Sequence, residues 1–164
     1  MRNCRINERV PAAGSFLLMK NKYKAYLFVV VQFACLVYIF MSGPLLADST
    51  NGLLVEVAGL VLGVSAIMQM RPGNFNITPL PKNGGELITT GIYSVIRHPM
   101  YLAQLLVVGA LIVDYYSLPR LLAVLMLFVD LLLKLRFEEQ QLLMQFNEYE
   151  EYTRKSWKLV PYIY

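Results

Sequence analysis

Four apolar stretches constrain this chain more than any other feature of its sequence. The first, residues 25–41, contains no charged residue and ends at Ser42-Gly43-Pro44, a sequence that stops helices. The others cover residues 53–70, 99–113 and 118–135. An upright span needs about 20 apolar residues, so the third stretch is short, but a tight connection joins it to the fourth. The sequence therefore predicts an all-α integral membrane bundle of about four transmembrane helices.

The composition of the chain agrees with a membrane setting. Of the 164 residues, 57% are hydrophobic and only 16% are charged, and the mean hydropathy is +0.49. Four spans of about 20 residues each use most of this length, so no separate soluble domain fits. We expect a basic N-terminal tail, residues 1–24, followed by a single membrane domain, residues 25–164.

Lysine and arginine residues predict the orientation of the bundle. They are concentrated in the N-terminal tail, in the connection between the second and third stretches, and after the fourth stretch, whereas the two other connections contain Asp48, Asp114 and a single Arg120. By the positive-inside rule both termini are cytoplasmic.

The basic residues lie at membrane ends and form no patch, so nucleic acid is not an expected partner. The tail has no apolar core or cleavage site, and we therefore expect no signal peptide.

The two cysteines give no indication of a metal or redox centre. Cys4 lies in the polar tail and Cys35 lies inside the first apolar stretch. Neither a disulfide framework nor a CxxC motif is available from these positions. We therefore expect no bound metal.

Two predicted cytoplasmic segments flank the third and fourth stretches. Residues 74–90 are rich in proline, asparagine, glycine and threonine, which is typical of an ordered loop or a re-entrant segment that can cover a pocket. Residues 137–152 place Leu142, Phe146 and Tyr149 on one face, which predicts an amphipathic helix at the interface. The alternative is a solvated helix that only caps the bundle.

The only histidine, His98, lies between Arg97 and Pro99 at the start of the third stretch. Proline disfavours helix at the residue before it and is accepted in the first helical turn, so His98-Pro99 predicts a helix N-terminus. The free N–H groups there suit a carboxylate or a phosphate. The alternative is a snorkelling arginine and a capping histidine without a ligand, with Glu138 and Glu139 as an ordinary charged helix start.

Asp130 is an ionisable residue inside the fourth stretch. A charge at that depth is costly unless it faces protein or water, so we expect Asp130 to point into the bundle. The alternative is a position close enough to the interface for the side chain to snorkel or to be protonated.

The C-terminal half of the chain resembles a known superfamily in an ordered series of motifs. The series is Leu87-Ile88-Thr89-Thr90-Gly91-Ile92-Tyr93, then Arg97-His98-Pro99-Met100-Tyr101, then Glu138-Glu139 with Leu142 and Phe146, and finally Tyr149, Tyr152 and Pro161. It resembles the isoprenylcysteine carboxyl methyltransferase and phospholipid methyltransferase superfamily of integral membrane enzymes. The resemblance covers about residues 85–161, and the first two stretches carry no signature of their own.

This resemblance implies S-adenosylmethionine as the cofactor, bound in a cytoplasmic cleft. The positions that match the cofactor-binding residues of the family are Glu86, Leu87, Ile88, Tyr93, His98, Pro99, Met100, Tyr101 and Glu138. The positions implied for catalysis are Lys134, Arg136 and Glu138. A carboxylate at Glu138 suits the ammonium group of the cofactor. No metal is implied.

Two departures and one rival family bear on this assignment. Lys134 stands where the family often has an arginine, and lysine keeps the charge but loses the bidentate geometry. The sequence Asn147-Glu148-Tyr149 also departs from the usual pattern, so the end of the helix can differ. Membrane sterol and steroid reductases share an Arg-His-Pro-x-Tyr element, usually followed by a glycine and a glutamate. Here the chain continues Leu102-Ala103-Gln104, which favours methyl transfer.

The sequence thus predicts methyl transfer from S-adenosylmethionine to a lipophilic small-molecule or lipid acceptor in the membrane. The function that it most resembles is isoprenylcysteine carboxyl O-methylation. The alternative within the class is N-methylation of a phospholipid or another amine, and the alternative from another class is a non-catalytic membrane protein for binding or assembly. The sequence leaves the oligomeric state open.

The predicted topology can be tested with fusions at the C terminus. A fluorescent protein that folds only in the cytoplasm should fluoresce there, and alkaline phosphatase, which needs an oxidising outer compartment, should be inactive. Active phosphatase together with a dark fluorescent fusion would reverse the orientation.

Overall fold

The structure is a computed structural model that describes residues 12–70, 78–80 and 85–164, with side chains described from residue 21 onward. The start of the predicted tail with Cys4, and residues 74–77 and 81–84 of the predicted loop, lie outside the described residues. The described residues form α1 (Ala12–Met41), α2 (Thr50–Gln69), a short 3-10 helix (Gly91–Ser94), α3 (Pro99–Asp114), α4 (Leu118–Gln145) and α5 (Tyr149–Lys155), with no strand among them. The prediction of an all-α fold is confirmed.

Local sequence fixes where these helices begin. The Ser49 hydroxyl caps α2 by accepting a hydrogen bond of 3.0 Å from the Gly52 N–H. Ser117 caps α4 in the same way, through a longer contact of 3.4 Å from the Arg120 N–H. Helix α3 begins with Pro99 in its first turn, directly after a non-helical His98, as its sequence predicts.

Two helices are long and apolar enough to cross a membrane. They cover Asn21–Met41 and Thr50–Gln69, and only 22% of either span is buried inside the protein. The core helix of a soluble protein would be mostly buried, so this exposure favours contact with lipid. Helix α3 is apolar but shorter, with 16 residues. The count of four spans stays a prediction.

Two helices are longer than the sequence analysis predicts. Helix α1 begins at Ala12, so residues 12–24 of the predicted tail belong to its first turns. Helix α4 continues through the predicted fourth span to Gln145. The prediction that a separate helix begins at residue 137 and covers 137–152 is therefore wrong about where that helix begins. The physical reason is that strong helix formers fill residues 131–145, and the chain leaves helical geometry only around Phe146 and Asn147.

The bundle is made of two closely packed pairs, α2 with α3 and α1 with α4. Small residues allow the first pair to approach closely. A Cβ atom at Gly59 would lie 3.0 Å from the Ala103 carbonyl oxygen, and one at Gly63 would lie 3.3 Å from the Ala103 Cβ. The main apolar core lies among α1, α3 and α4, and its fully buried members include Val108 and Leu127.

The few charged residues at one end of the bundle hold the helix connections together. Asp114 at the end of α3 accepts two hydrogen bonds of 2.7 Å from Ser49. Buried Glu56 accepts a hydrogen bond of 2.8 Å from the Ala47 N–H. Buried Arg120 donates to the Tyr115 and Ile39 carbonyl oxygens at 3.0 and 3.4 Å. These contacts occupy polar groups that the helix ends would otherwise leave unpaired.

The close approach of α2 and α3 yields a stability prediction. Gly59→Ala should have a lower unfolding midpoint in detergent than Gly109→Ala, because overpacking against backbone costs about 1–3 kcal/mol and both variants gain the same helix propensity. Gly109→Ala is the matched control, since a Cβ atom there meets nothing within 4 Å and alanine is favoured in a helix by up to about 1 kcal/mol. Equal midpoints for the two variants would contradict the packing argument.

Candidate active site

A cavity of about 250 Å³ lies between the two helix pairs, at the end of the bundle where α3 begins and α4 ends. Its walls come from α1, residues 85–88, the first turns of α3, the second half of α4, and α5. The cavity is therefore built from segments that are distant in the sequence.

All but one of the candidate site residues line this cavity. The lining residues among them are Glu86, Leu87, Ile88, Tyr93, His98, Pro99, Met100, Tyr101, Lys134 and Glu138. Arg136 is exposed and is not among them. It follows Lys134 by two positions, which is about 200° around a helix, so the two side chains leave opposite faces of α4. Which of the lining residues act on a ligand stays a prediction.

Gly91 sets the path of the chain into the cavity wall. It has a φ of 61°, and a Cβ atom there would lie 2.1 Å from the Gln69 Oε1. The same oxygen accepts a hydrogen bond of 2.7 Å from the Ile92 N–H. Only glycine accepts both this backbone conformation and this contact without strain. The resulting 3-10 turn places Tyr93 in the wall, where its hydroxyl donates to the Ala66 carbonyl oxygen at 3.3 Å.

His98 is buried and makes no side-chain cap to α3, so the alternative of a capping histidine is wrong. Its ring stacks on Tyr101 with 5.4 Å between the ring centroids. Its Nδ1 lies 3.7 Å from Glu138 and its Nε2 lies 3.7 Å from Glu139. Among the described residues Nε2 has no hydrogen-bond partner, which is unusual for a buried polar atom.

Glu138 faces the cavity. Its Oε2 accepts a hydrogen bond of 2.7 Å from the Tyr101 hydroxyl, and 29% of its side chain is exposed. A carboxylate that one neutral hydroxyl holds in place keeps most of its acceptor capacity for a ligand. Glu138 can therefore bind a cation or a hydrogen-bond donor in the cavity.

Glu139, the next residue, is buried and forms an ion pair within the protein. It accepts a hydrogen bond of 2.8 Å from the Arg97 Nε and lies 3.2 Å from the Lys158 Nζ. Burial alone would raise the pKa of Glu139, but its interactions with His98 and Arg97 outweigh burial and lower the pKa to about 2. The two acidic residues therefore have different environments. Glu138 is open to the cavity, and Glu139 is buried in an ion pair.

Arg97 connects this ion pair to the C-terminal segment. It is buried, so the alternative of a snorkelling arginine is wrong, and it donates to carbonyl oxygens of Thr153 and Ser156. The backbone continues the connection, since Arg97 N–H donates to the Trp157 carbonyl and the Trp157 N–H donates to the Val95 carbonyl, both at 2.8 Å. These contacts hold α5 across the cavity.

Two tyrosines of α5 line the cavity. The Tyr152 hydroxyl donates to the Tyr93 carbonyl oxygen, and the Tyr149 hydroxyl is buried without a partner among the described residues. Burial raises the pKa of Tyr93 and of Tyr149 well above the usual range and the pKa of Tyr152 to about 12. These phenols are neutral at physiological pH and act as hydrogen-bond donors or acceptors.

A second group of polar side chains lines the cavity deeper in the bundle. Lys134 is 3% exposed and donates to the Gln32 Oε1 at 2.6 Å, and the Gln32 Nε2 donates to the Gln104 Oε1 at 2.7 Å. Neither glutamine is among the site residues predicted from the sequence, although an amide inside an apolar span is a signal of the same kind as Asp130. Asp130 is 6% exposed, which confirms that it points into the bundle.

Comparison with protein families identifies the chain. Residues 47–149, more than half of its length, match a family model described as phospholipid methyltransferase. The chain belongs to this family. No curated protein sequence matches it. The match begins before α2, so the second apolar stretch carries a family signature that the sequence analysis did not find.

Membership of the phospholipid methyltransferase family makes the protein a methyltransferase. Together with the two long apolar helices it indicates a membrane protein. The matched region contains every candidate site residue and ends at Tyr149, the first residue of α5. The helix that covers the cavity and the docked C-terminal segment thus follow the region of the match.

The ion pair of Glu139 predicts an acid-dependent loss of stability. Its folded pKa, about 2, lies below the ordinary value of 4.5, so the stabilisation is complete above pH 4.5 and is lost as the pH falls towards 2. Glu139→Gln should lower the unfolding midpoint in detergent at neutral pH and flatten its decline between pH 4.5 and 2. Glu150→Gln is the control, since its pair with Arg154 is solvent-exposed and should contribute little. Parallel pH curves for wild type and Glu139→Gln would refute the assignment.

Proposed function

We propose that this protein transfers a methyl group from S-adenosylmethionine to a lipophilic acceptor, most like the carboxyl O-methylation of isoprenylcysteine. The observation that carries the proposal is that the predicted cofactor residues and Lys134, from separate segments of the chain, line a single cavity. Membership of a methyltransferase family supports the class of reaction.

The groups around Glu138 suit the cofactor. S-adenosylmethionine, when bound, supplies an activated methyl group on a sulfonium sulfur. The Glu138 carboxylate would pair with its ammonium group, since a charge-assisted contact is the strong option for a partly buried carboxylate. The Tyr149 hydroxyl, buried without a hydrogen-bond partner among the described residues, and His98, whose Nδ1 lies 3.7 Å from Glu138, would supply further hydrogen bonds. The residues of the cavity therefore fit this cofactor.

The acceptor would bind beside Lys134, one helical turn before Glu138 on α4. Methyl transfer depends on alignment and on a desolvated nucleophile, which a largely apolar cavity can provide. A carboxylate acceptor needs no general base, and the cation of Lys134 would orient it. The acceptor oxygen would form its new bond to the methyl carbon as the bond from carbon to sulfur breaks.

N-methylation of a phospholipid amine is the second candidate, and the description of the matching family favours it. An amine must lose a proton before or during transfer. Glu86 and Glu138 are the acidic residues among the described lining residues, and the resemblance assigns both of them to the cofactor, which leaves neither as a base for the amine. For this reason the carboxyl acceptor remains the proposal.

The proposed topology puts both termini and the cavity on the cytoplasmic side. It is supported by the basic residues in the N-terminal tail, between α2 and α3, and after α4. The cavity opens where α3 begins and α4 ends, at the end of the bundle that this rule assigns to the cytoplasm. A cytoplasmic cofactor would then reach the cavity without crossing the membrane.

Calorimetry with purified protein in detergent tests this function and the roles of two residues. S-adenosylmethionine or its demethylated product should bind to wild type with micromolar-range affinity. Glu138→Gln removes a charge-assisted hydrogen bond worth about 1.5–3 kcal/mol, so the affinity should fall roughly ten- to hundred-fold. Lys134→Met keeps the apolar stem and should leave cofactor affinity nearly unchanged, while turnover of N-acetyl-S-farnesylcysteine drops.

The controls distinguish an enzyme from a non-catalytic binding protein. Glu150→Gln, on the exposed face of α5, should bind the cofactor like wild type. No heat with either ligand at millimolar concentration, in a folded sample, would favour a non-catalytic protein. Normal binding by Glu138→Gln, or equal loss in Lys134→Met, would overturn the division of roles. Turnover of phosphatidylethanolamine in place of the farnesylated acid would select N-methylation.

A further inference from the structure

Three polar side chains from three helices meet at the deeper end of the cavity. They are Gln32 on α1, Gln104 on α3 and Lys134 on α4, and all three line the cavity. Gln32 is 5% exposed and Lys134 is 3% exposed. Polar groups buried between apolar helices are costly unless they are paired, so their hydrogen bonds determine what this end of the cavity presents.

The hydrogen bonds of this group run in one direction. Lys134 Nζ donates to the Gln32 Oε1 at 2.6 Å, and the Gln32 Nε2 donates to the Gln104 Oε1 at 2.7 Å. A lysine ammonium has only donors, so the Gln32 oxygen must face it. The Gln32 NH2 group is then turned to Gln104, whose oxygen must accept. We call this chain of hydrogen bonds, from Lys134 through Gln32 to Gln104, the relay. Its terminal donor is the Gln104 NH2 group.

The relay therefore gives the deeper end of the cavity a defined polarity. Its terminal group is an amide donor on half-buried Gln104, and its origin is a positive charge on Lys134. An anionic oxygen would accept from the amide and be attracted by the charge. A ligand ammonium at the Gln104 amide would meet a donor and a like charge, which is unfavourable, whereas Glu138, one helical turn from Lys134, is where the cavity favours a cation.

The position of the relay indicates what carries the anionic group. Phe33 follows Gln32, lines the same cavity and is 49% exposed on the outer face of α1. The surrounding outer faces of α1 and α4 also expose apolar side chains, among them Val30 and Val129. A ligand that reaches the relay with an apolar tail can leave that tail against this lipid-facing surface.

We propose that this relay is the subsite for an anionic oxygen group, a carboxylate or a phosphodiester, at the head of an amphiphilic acceptor. Gln104 is the residue that contacts the acceptor, and Gln32 is a positioning residue that fixes the orientation of the Gln104 amide. The identification of this ligand as the methyl acceptor rests on the proposed function, but the head-group preference does not.

The preference can be measured without catalysis. The probes are four amphiphiles with the same farnesyl thioether tail and different head groups: a carboxylate, a methyl phosphodiester, the neutral methyl ester of the carboxylate, and a primary amine. Calorimetry on the full chain in detergent, without cofactor and with Glu138→Gln in every sample so that Glu138 cannot pair with the amine, should show at least one of the two anions bound tenfold or more tighter than both the ester and the amine. Which anion binds tighter distinguishes an acid from a phospholipid head group.

Gln104→Leu is the decisive variant, because it removes the terminal donor without changing the charge of the cavity. The preference for the anions should fall to threefold or less. Gln32→Glu should have the same effect, since both of its side-chain oxygens are acceptors and the Gln104 amide must turn its oxygen to the cavity, and its negative charge also offsets that of Lys134. Gln140→Leu, at an exposed site on α4 outside the cavity lining, is the matched control and should keep the preference.

The measured preference decides the proposal. A Glu138→Gln protein that binds none of the amphiphiles, binds all of them equally or prefers the amine overturns it, whether or not the further variants fold. A preference that persists in Gln104→Leu at the level of the control also overturns it. Binding of the demethylated cofactor, measured separately, tests the proposed function, so one can fail while the other holds.

Discussion

The buried ion pair between Arg97 and Glu139 is the interaction on which the rest of the site depends. Both side chains are nearly inaccessible, at 5% and 11% exposure, and removing either partner would leave a buried charge uncompensated. The pair fixes the rotation of α4 against the start of α3. Because neighbouring residues on a helix differ by about 100°, fixing Glu139 in the ion pair directs Glu138 into the cavity. The remaining Arg97 donors bind the C-terminal segment and close the wall.

Helix α4 places charges of alternating sign along one face. Asp130, Lys134 and Glu138 are each one helical turn apart, and the last two line the cavity. Glu138 is the most accessible of the three and lies nearest to the end of the helix, whereas Lys134 is withdrawn into the relay with Gln32. A single helix thus supplies a negative group and a positive group to one cavity at fixed separation, which is the positioning that transfer between two bound molecules requires.

Much of the fold and part of the site follow from local sequence. The His98-Pro99 helix start and the burial of Asp130 follow from rules for short segments, and the structure agrees with them. The uninterrupted α4 was not predicted, because a change from apolar to amphipathic pattern does not require a break in the helix. The relay was not predicted either, since Gln32 and Gln104 become neighbours only through packing of α1 near α3. Their pairing is tertiary information that a single sequence does not carry.

The polar groups at the two ends of the bundle have different surroundings. At the end where α2 and α4 begin, Asp114, Glu56 and Arg120 all bind backbone or cap groups nearby. Among these groups the Arg120 Nε is buried without a hydrogen-bond partner in the described residues, and the other contacts are made by the fold itself. At the other end His98 Nε2 and the Tyr149 hydroxyl are buried without hydrogen-bond partners among the described residues, although burying such atoms is costly. The Tyr149 residue lines the cavity, so a ligand that completes the hydrogen bonds of its hydroxyl would stabilise the fold.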